Sequence, residues 1–289
     1  MVERERIHQR LFHVFLIVLM LSCSYILGTL QEQEQFLNHD QYHNHQMTKP
    51  AHAVVTVLRD AGNSIKHLFD WDSFKIFVGT FPFFAIGSMV DNSVQSCFYT
   101  RWCHKNRNQW PQVIHGLSQY GFVFPVFLGF SCMLAAHDID VRYTSQIFLT
   151  DIPLVMLTSD LIKRTEFNHG FLRPWCERFS SVQRAYGGFP SGHVALMSYA
   201  AFSYGLRFGP KWGVPLGAFA VLIGAAFINC NRHYTSQVIA GGALGAFWGF
   251  ALSKAVDDKL ARHLEEKNIS LAFSMGKGGK PTVKVSYAF

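Results

Sequence analysis

The sequence predicts an all-α fold, a bundle of about six core helices that crosses a membrane. Three observations carry this expectation. The composition is 49% hydrophobic and only 16% charged, with 27 Phe in 289 residues, which is apolar and charge-poor for a water-soluble enzyme. Apolar runs recur at residues 11–30, 73–90, 117–136, 144–162, 191–208, 213–229 and 235–256, several of them near the ~20 residues that cross a bilayer as a helix. The longer stretches between them carry Gly, Pro and charge, as connections do. A chain of this length can bury a sizeable core, and it reads as one main domain.

Residues 1–30 open with a charged segment followed by an apolar one and read as a signal peptide or membrane anchor. Residues 31–72 are polar and then amphipathic. Their His39, His43 and His45 read as a solvated loop, and Asp60-Ala-Gly-Asn63 as a helix end followed by a new cap. The helical domain is assigned to residues 73–256. Pro82 is tolerable in a membrane helix, and Asp91 to Trp110 reads as a polar loop. The stretch from Lys163 to His193 holds Gly170, Pro174, Gly187, Gly188 and Pro190 and reads as loop. Gly209 to Gly213 turns the chain, and Gly241, Gly242, Gly245 and Gly249 leave a smooth face for close packing in the last helix. Residues 257–289 form a charged tail in which alternation on both sides of a Gly-rich turn predicts a short β-hairpin.

The six cysteines, Cys23, Cys97, Cys103, Cys132, Cys176 and Cys230, lack the paired spacing of a zinc site, and no metal or other cofactor is expected. Cys97 and Cys103 flank the polar loop and can pair if it faces an oxidising compartment. The formal charge of +7 suits an anionic substrate or an anionic lipid surface. No basic stripe with interleaved aromatics gathers in one segment, which argues against nucleic acid as a partner.

Polar groups that converge at one depth of an apolar chain mark a functional site. Counting helices from Trp71 places three such groups at one end of the bundle: Lys163 with Arg173-Pro174, Phe189-Pro-Ser-Gly-His193, and His233. Pro190 sets the entry to a helix whose first residues, Ser191 and Gly192, can present backbone N–H groups to an anion. Lys163 and Arg173 supply countercharge, Arg with the fork geometry that grips phosphate oxygens. Two histidines in such a place suit covalent phosphoryl transfer, one attacking phosphorus and the other protonating the leaving oxygen.

These residues resemble the superfamily of type 2 phosphatidic acid phosphatases, bacterial acid phosphatases and vanadium haloperoxidases, over about residues 73–256. Its signatures are Lys-x6-Arg-Pro, Pro-Ser-Gly-His and Ser-Arg-x5-His-x3-Asp. The second is intact, and the first is present with a longer spacer, Lys163 to Arg173-Pro174. The third is altered: Gln237 takes the Asp position and Phe227 the Arg position. The resemblance implies His233 as the nucleophile that forms a phosphohistidine, His193 as the general acid, and Lys163, Arg173, Ser191 and Gly192 as the phosphate cradle. Gln237 would hold the His233 tautomer without adding a negative charge. Arg232, Arg178 and Arg184 are the candidates to replace the missing guanidinium; Arg232 would project about 100° from His233 on a continuous helix, and a bent loop would bring it back.

The activity expected is hydrolysis of a lipid or isoprenoid phosphomonoester or diphosphate. The alternative is a catalytically degenerate membrane protein of the same fold that binds the anion or phospholipid without turning it over. A haloperoxidase is disfavoured because the cradle is under-charged for vanadate. The expected setting is a bacterial inner membrane with the site on the periplasmic side, or else a soluble or peripheral place in the periplasm. Asp151 and Asp160 make residues 144–162 the weakest candidate for a crossing.

Overall fold

The computed structural model describes residues 49–98, 116, 120–165, 172–174, 188–266, 269–275 and 281–287. The expectations for residues 1–30, for the histidines near residue 40, for Arg178 and Arg184, and for the partner half of the Cys97–Cys103 pair fall outside the described residues. Among the described residues there are seven helices: α1 (Lys49–Leu68), α2 (Trp71–Phe98), α3 (Val123–Ala135), α4 (Ile139–Arg164), α5 (Gly192–Phe208), α6 (Pro210–Asn229) and α7 (Thr235–Glu266). Strands β1 (Ile269–Met275) and β2 (Pro281–Tyr287) pair antiparallel, Ile269 opposite Tyr287 and Met275 opposite Pro281.

The architecture is a helical membrane bundle. Four helices, α2, α4, α6 and α7, are long and apolar enough to cross a membrane. α5 forms the centre: Ala195, Met197, Tyr199 and Ala200 have no exposure, and α7, α6 and α4 all pack on this helix. The α5–α7 contact is close because glycines line it. A Cβ on Gly245 would stand 2.3 Å from the Ala195 carbonyl oxygen, and one on Gly241 2.5 Å from that of Ser191, so only hydrogen fits and the backbones touch. Gly209, at φ 86°, makes the turn from α5 to α6 in a conformation that disfavours other residues. The outer face of α2 exposes Phe77, Val78, Phe81, Phe83, Ile86 and Met89, the surface of a helix that faces lipid.

Three boundaries differ from the sequence expectation. α1 runs unbroken through Asp60-Ala-Gly-Asn63. Asp60 is buried and takes Lys259 Nζ at 2.6 Å, so tertiary contacts override the local signal of a helix end. α2 continues past Val90 to Phe98; Asp91 and Gln95 reach partners across the bundle, while Asn92, Ser93 and Ser96 are exposed. α7 extends to Glu266, ten residues beyond the expected end of the helical domain at 256, because the acids and bases of this stretch serve as partners: Asp258 meets His67 and Lys259 meets Asp60. The acids of α4 are also accommodated. Asp151 is fully buried, with its Oδ2 at 3.4 Å from the Tyr199 hydroxyl, and Asp160 pairs with Arg164 one turn on at 2.9 Å.

Candidate active site

Alternating helix directions bring the C-terminal end of α4, the N-terminal end of α5 and the α6–α7 turn to one end of the bundle. The α6–α7 connection, residues 230–234, is not helical. Asn231 takes φ 57°, a left-handed conformation that Asn tolerates. The amides of Arg232 and His233 fold back onto the Phe227 carbonyl at 2.9 and 3.4 Å. His233 therefore stands in a turn, two residues ahead of α7, rather than as the helix's first residue. The same bend carries Arg232 round, and its guanidinium carbon lies 5.7 Å from the centre of the Phe227 ring.

His233 is buried, and its Nδ1 lies 2.9 Å from the Gly188 carbonyl and 3.2 Å from Gln237 Oε1. A carbonyl oxygen can only accept, so Nδ1 carries the proton and Nε2 carries the lone pair. Gln237 is satisfied on both sides. Its Oε1 also accepts the Tyr234 N–H at 3.1 Å, and its Nε2 donates to the Leu172 carbonyl at 2.9 Å. The bond to Tyr234 is half of a capping box, the third residue of α7 reaching back to the residue before the helix. Gln237 thus ties the turn, the start of α7 and the segment 172–174 to His233.

Burial holds the His233 imidazole well below its usual range, and the charges of Arg173 and Lys163 act in the same direction, while the bond to Gln237 opposes them. The side chain is neutral at physiological pH and keeps the Nε2 lone pair free.

His193 stands in the first turn of α5. Its ring lies 4.0 Å from that of Phe122, edge-on, and 4.7 Å from that of Phe227, which in turn lies 5.6 Å from the His233 ring. The two imidazoles therefore both lie against one phenyl ring. Lys163, Arg232 and Arg173 all act electrostatically on His193. Lys163 comes within 3.4 Å of where a Gly192 Cβ would sit, so the α4 lysine reaches the α5 N-terminus. Ser191 departs from the expectation: its N–H donates to the Gln237 carbonyl at 3.0 Å and is unavailable to an anion. Its hydroxyl is buried and has no hydrogen-bond partner among the described residues, and the Gly192 amide lies in the first turn, where helical N–H groups lack intrahelical acceptors.

The structure thus brings His233, His193, Gln237, Lys163, Arg173, Arg232, Ser191 and Gly192 to one end of the bundle. Two participants were not singled out from sequence, Gly188 as the His233 acceptor and Phe122 against His193. The glycine carries no side-chain signal, and Phe122 is one of 27 phenylalanines.

Residues 154–261 match the model of the PAP2 superfamily. That segment holds Lys163, Arg173, Pro190 to His193 and His233 to Gln237. Over that segment, somewhat more than a third of the chain, the protein is similar to the PAP2 superfamily. Among solved structures it is similar to the crystal structure of the first transmembrane PAP2 type phosphatidylglycerolphosphate phosphatase from Bacillus subtilis, at 20% identity and a TM-score of 0.44, over 63% of this chain and 96% of that one. No curated protein matches the chain.

Proposed function

We propose that the protein is a membrane phosphatase that hydrolyses a lipid or isoprenoid phosphomonoester or diphosphate through a phosphohistidine on His233. The match of residues 154–261 to the PAP2 superfamily supports a phosphatase of the lipid-phosphate type. The observation that carries the finer reading is the His233 Nδ1–H held by the Gly188 carbonyl, which leaves the Nε2 lone pair as the nucleophile.

In this scheme the substrate phosphate lies between the imidazoles, countered by Lys163, Arg173 and Arg232. The Ser191 hydroxyl and Gly192 amide donate to its equatorial oxygens, where charge-directed hydrogen bonds lower the barrier most. The His233 Nε2 lone pair forms the N–P bond as the P–O bond to the lipid breaks, and protonated His193 gives its proton to the leaving alkoxide. Water then attacks phosphorus, the N–P bond breaks with its electron pair returning to Nε2, and His193 takes the proton lost by the water. An incoming phosphate dianion offsets the three cations around His193 and favours its protonated form, so substrate binding itself arms the acid. No step in this scheme calls for a metal ion.

The test is phosphate release by the purified protein from phosphatidic acid, an isoprenyl diphosphate and a chromogenic phosphate ester, with chelator present. Release that His233→Ala abolishes supports the proposal. No release from a folded protein, or release unchanged by His233→Ala, ends it. Gln237 and Phe227 favour a second reading, an anion-binding relative without turnover; there, phosphate or vanadate raises thermal stability and no hydrolysis is seen.

A further inference from the structure

α2 lies outside the family-matched segment 154–261, yet it touches both histidine-bearing segments. Gly87, Asp91 and Gln95 follow one another at intervals of four and share one face of the helix. A Cβ on Gly87 would stand 2.7 Å from Ile239 Cδ1 and 3.2 Å from Ser236 Cα, so α2 lies hard against the start of α7. Asp91 Oδ1 accepts the Ser236 N–H at 2.9 Å and its Oδ2 accepts the Ser236 hydroxyl at 2.5 Å. Gln95 Nε2 donates to Asn231 Oδ1. Nearer the middle of α2, Phe84 packs edge-on against Phe189, at the head of the Pro-Ser-Gly-His segment, with ring centres 5.7 Å apart.

Ser236 is the second residue of α7, where the N–H has no intrahelical acceptor. The residue at the helix entry ordinarily supplies one from a short polar side chain, but here that residue is Tyr234, whose hydroxyl lies at the far end of a rigid ring. Asp91 supplies the missing acceptor from another helix, and its negative charge suits the positive end of the α7 dipole. The capped turn is the one that carries His233, three residues before Ser236, and Gln237, the next residue along.

We propose that Asp91 is a positioning residue: reaching across from α2, it caps α7 and fixes the turn 231–236, so that His233 Nε2 stays aimed at the substrate phosphorus. This rests on the phosphohistidine reading above. The lipid-facing helix thus completes the site through its inner edge.

The test uses the full chain in vesicles or detergent, with Asp91→Ala, Asp91→Asn, Ser236→Ala and the control Met89→Ala, which changes a residue 83% exposed on the same helix. Misplacing a reacting group by ~1 Å costs on the order of 100-fold, so Asp91→Ala should lower kcat about 10- to 100-fold with KM changed less than about threefold. Asp91→Asn keeps an acceptor for the Ser236 N–H and a donor for its hydroxyl, and should recover to within about threefold of wild type. Met89→Ala should leave kcat unchanged.

An activity-independent readout separates this proposal from the catalytic one. In protein labelled with 15N-histidine, the His233 Nδ1–H signal should be protected from exchange in wild type and Asp91→Asn, and lost in Asp91→Ala. If wild type releases no phosphate, the functional reading has failed and this signal alone judges Asp91. A folded Asp91→Ala with unchanged kcat or, in an inactive enzyme, an unchanged imidazole signal overturns the positioning role. Should Asp91→Ala not fold, Ser236→Ala decides by the same measurements, a fall in kcat or loss of the signal supporting the role and neither overturning it.

Discussion

Replacing Gln237 by Glu reverses the hydrogen-bonding sense of one terminal atom at nearly fixed shape. Oε1 keeps its place as acceptor from His233 Nδ1 at 3.2 Å and from the Tyr234 N–H at 3.1 Å. The other terminal atom, an NH2 group in the native protein, becomes an oxygen 2.9 Å from the Leu172 carbonyl oxygen. Two acceptors then face each other at a residue only 1% exposed. Losing that bond and leaving the carbonyl unpaired costs about 1–3 kcal/mol. Burying the new charge adds to the cost, and the nearby charges of Lys163 and Arg173 offset part of it, for a net deficit of about 2–3 kcal/mol at pH 7. Thermal unfolding of the variant beside wild type should show Tm lower by about 5–10 °C at pH 7. An unchanged Tm would refute the hydrogen-bond assignment.

Four further outcomes follow from the structure. Gln237→Leu should lower kcat by about 10- to 100-fold, well short of the ~10⁴ lost when a triad carboxylate becomes an amide, because the Gly188 carbonyl still holds the His233 proton; steady-state kinetics decide. Gly245→Val drives side-chain atoms into backbone 2.3 Å away and should cost about 3 kcal/mol or prevent folding, whereas Gly62→Ala, with nothing within 4 Å, should stabilise α1 by about 0.5–1 kcal/mol, both read by thermal unfolding. His233 stays neutral in the fold while its unfolded form protonates below about pH 6.5; folding stability should fall on acidification by up to about 1.4 kcal/mol per pH unit from this group. His233→Asn should flatten that slope in unfolding measured from pH 7 to pH 5.

Much of the bundle was legible in the sequence because lipid-facing and core-facing residues are both apolar, so a helix announces itself by length alone. The runs near 144–162, 191–208 and 213–229 fall on α4, α5 and α6 within a few residues. What misled was polarity. Asp91, Gln95 and the stretch 257–266 carry loop-like composition, and they are helical because Asp91, Gln95, Asp257, Asp258 and Lys259 find partners elsewhere in the fold, which no local pattern reveals. The site divides the same way. Pro-Ser-Gly-His and the His233 segment are local and visible, and the Gly-rich face of α7 gives the close approach it suggests. The Ser191 amide was misjudged because its acceptor, the Gln237 carbonyl, lies 46 positions away in the chain. The bend that returns Arg232 toward the site depends on the backbone of Asn231, and the tautomer of His233 on the carbonyl of a glycine.

Covalent attachment of phosphorus to the imidazole of His233 is the central event of the proposed reaction. The protein is mixed briefly with lipid phosphate or isoprenyl diphosphate carrying labelled phosphorus, quenched in alkali, digested and mapped. Label is expected on the peptide that holds His233, absent from His233→Ala and accumulating in His193→Ala when the leaving group is good enough to need no acid. Turnover of the same substrate with no label on that peptide at any quench time, or with label on another residue, would contradict it.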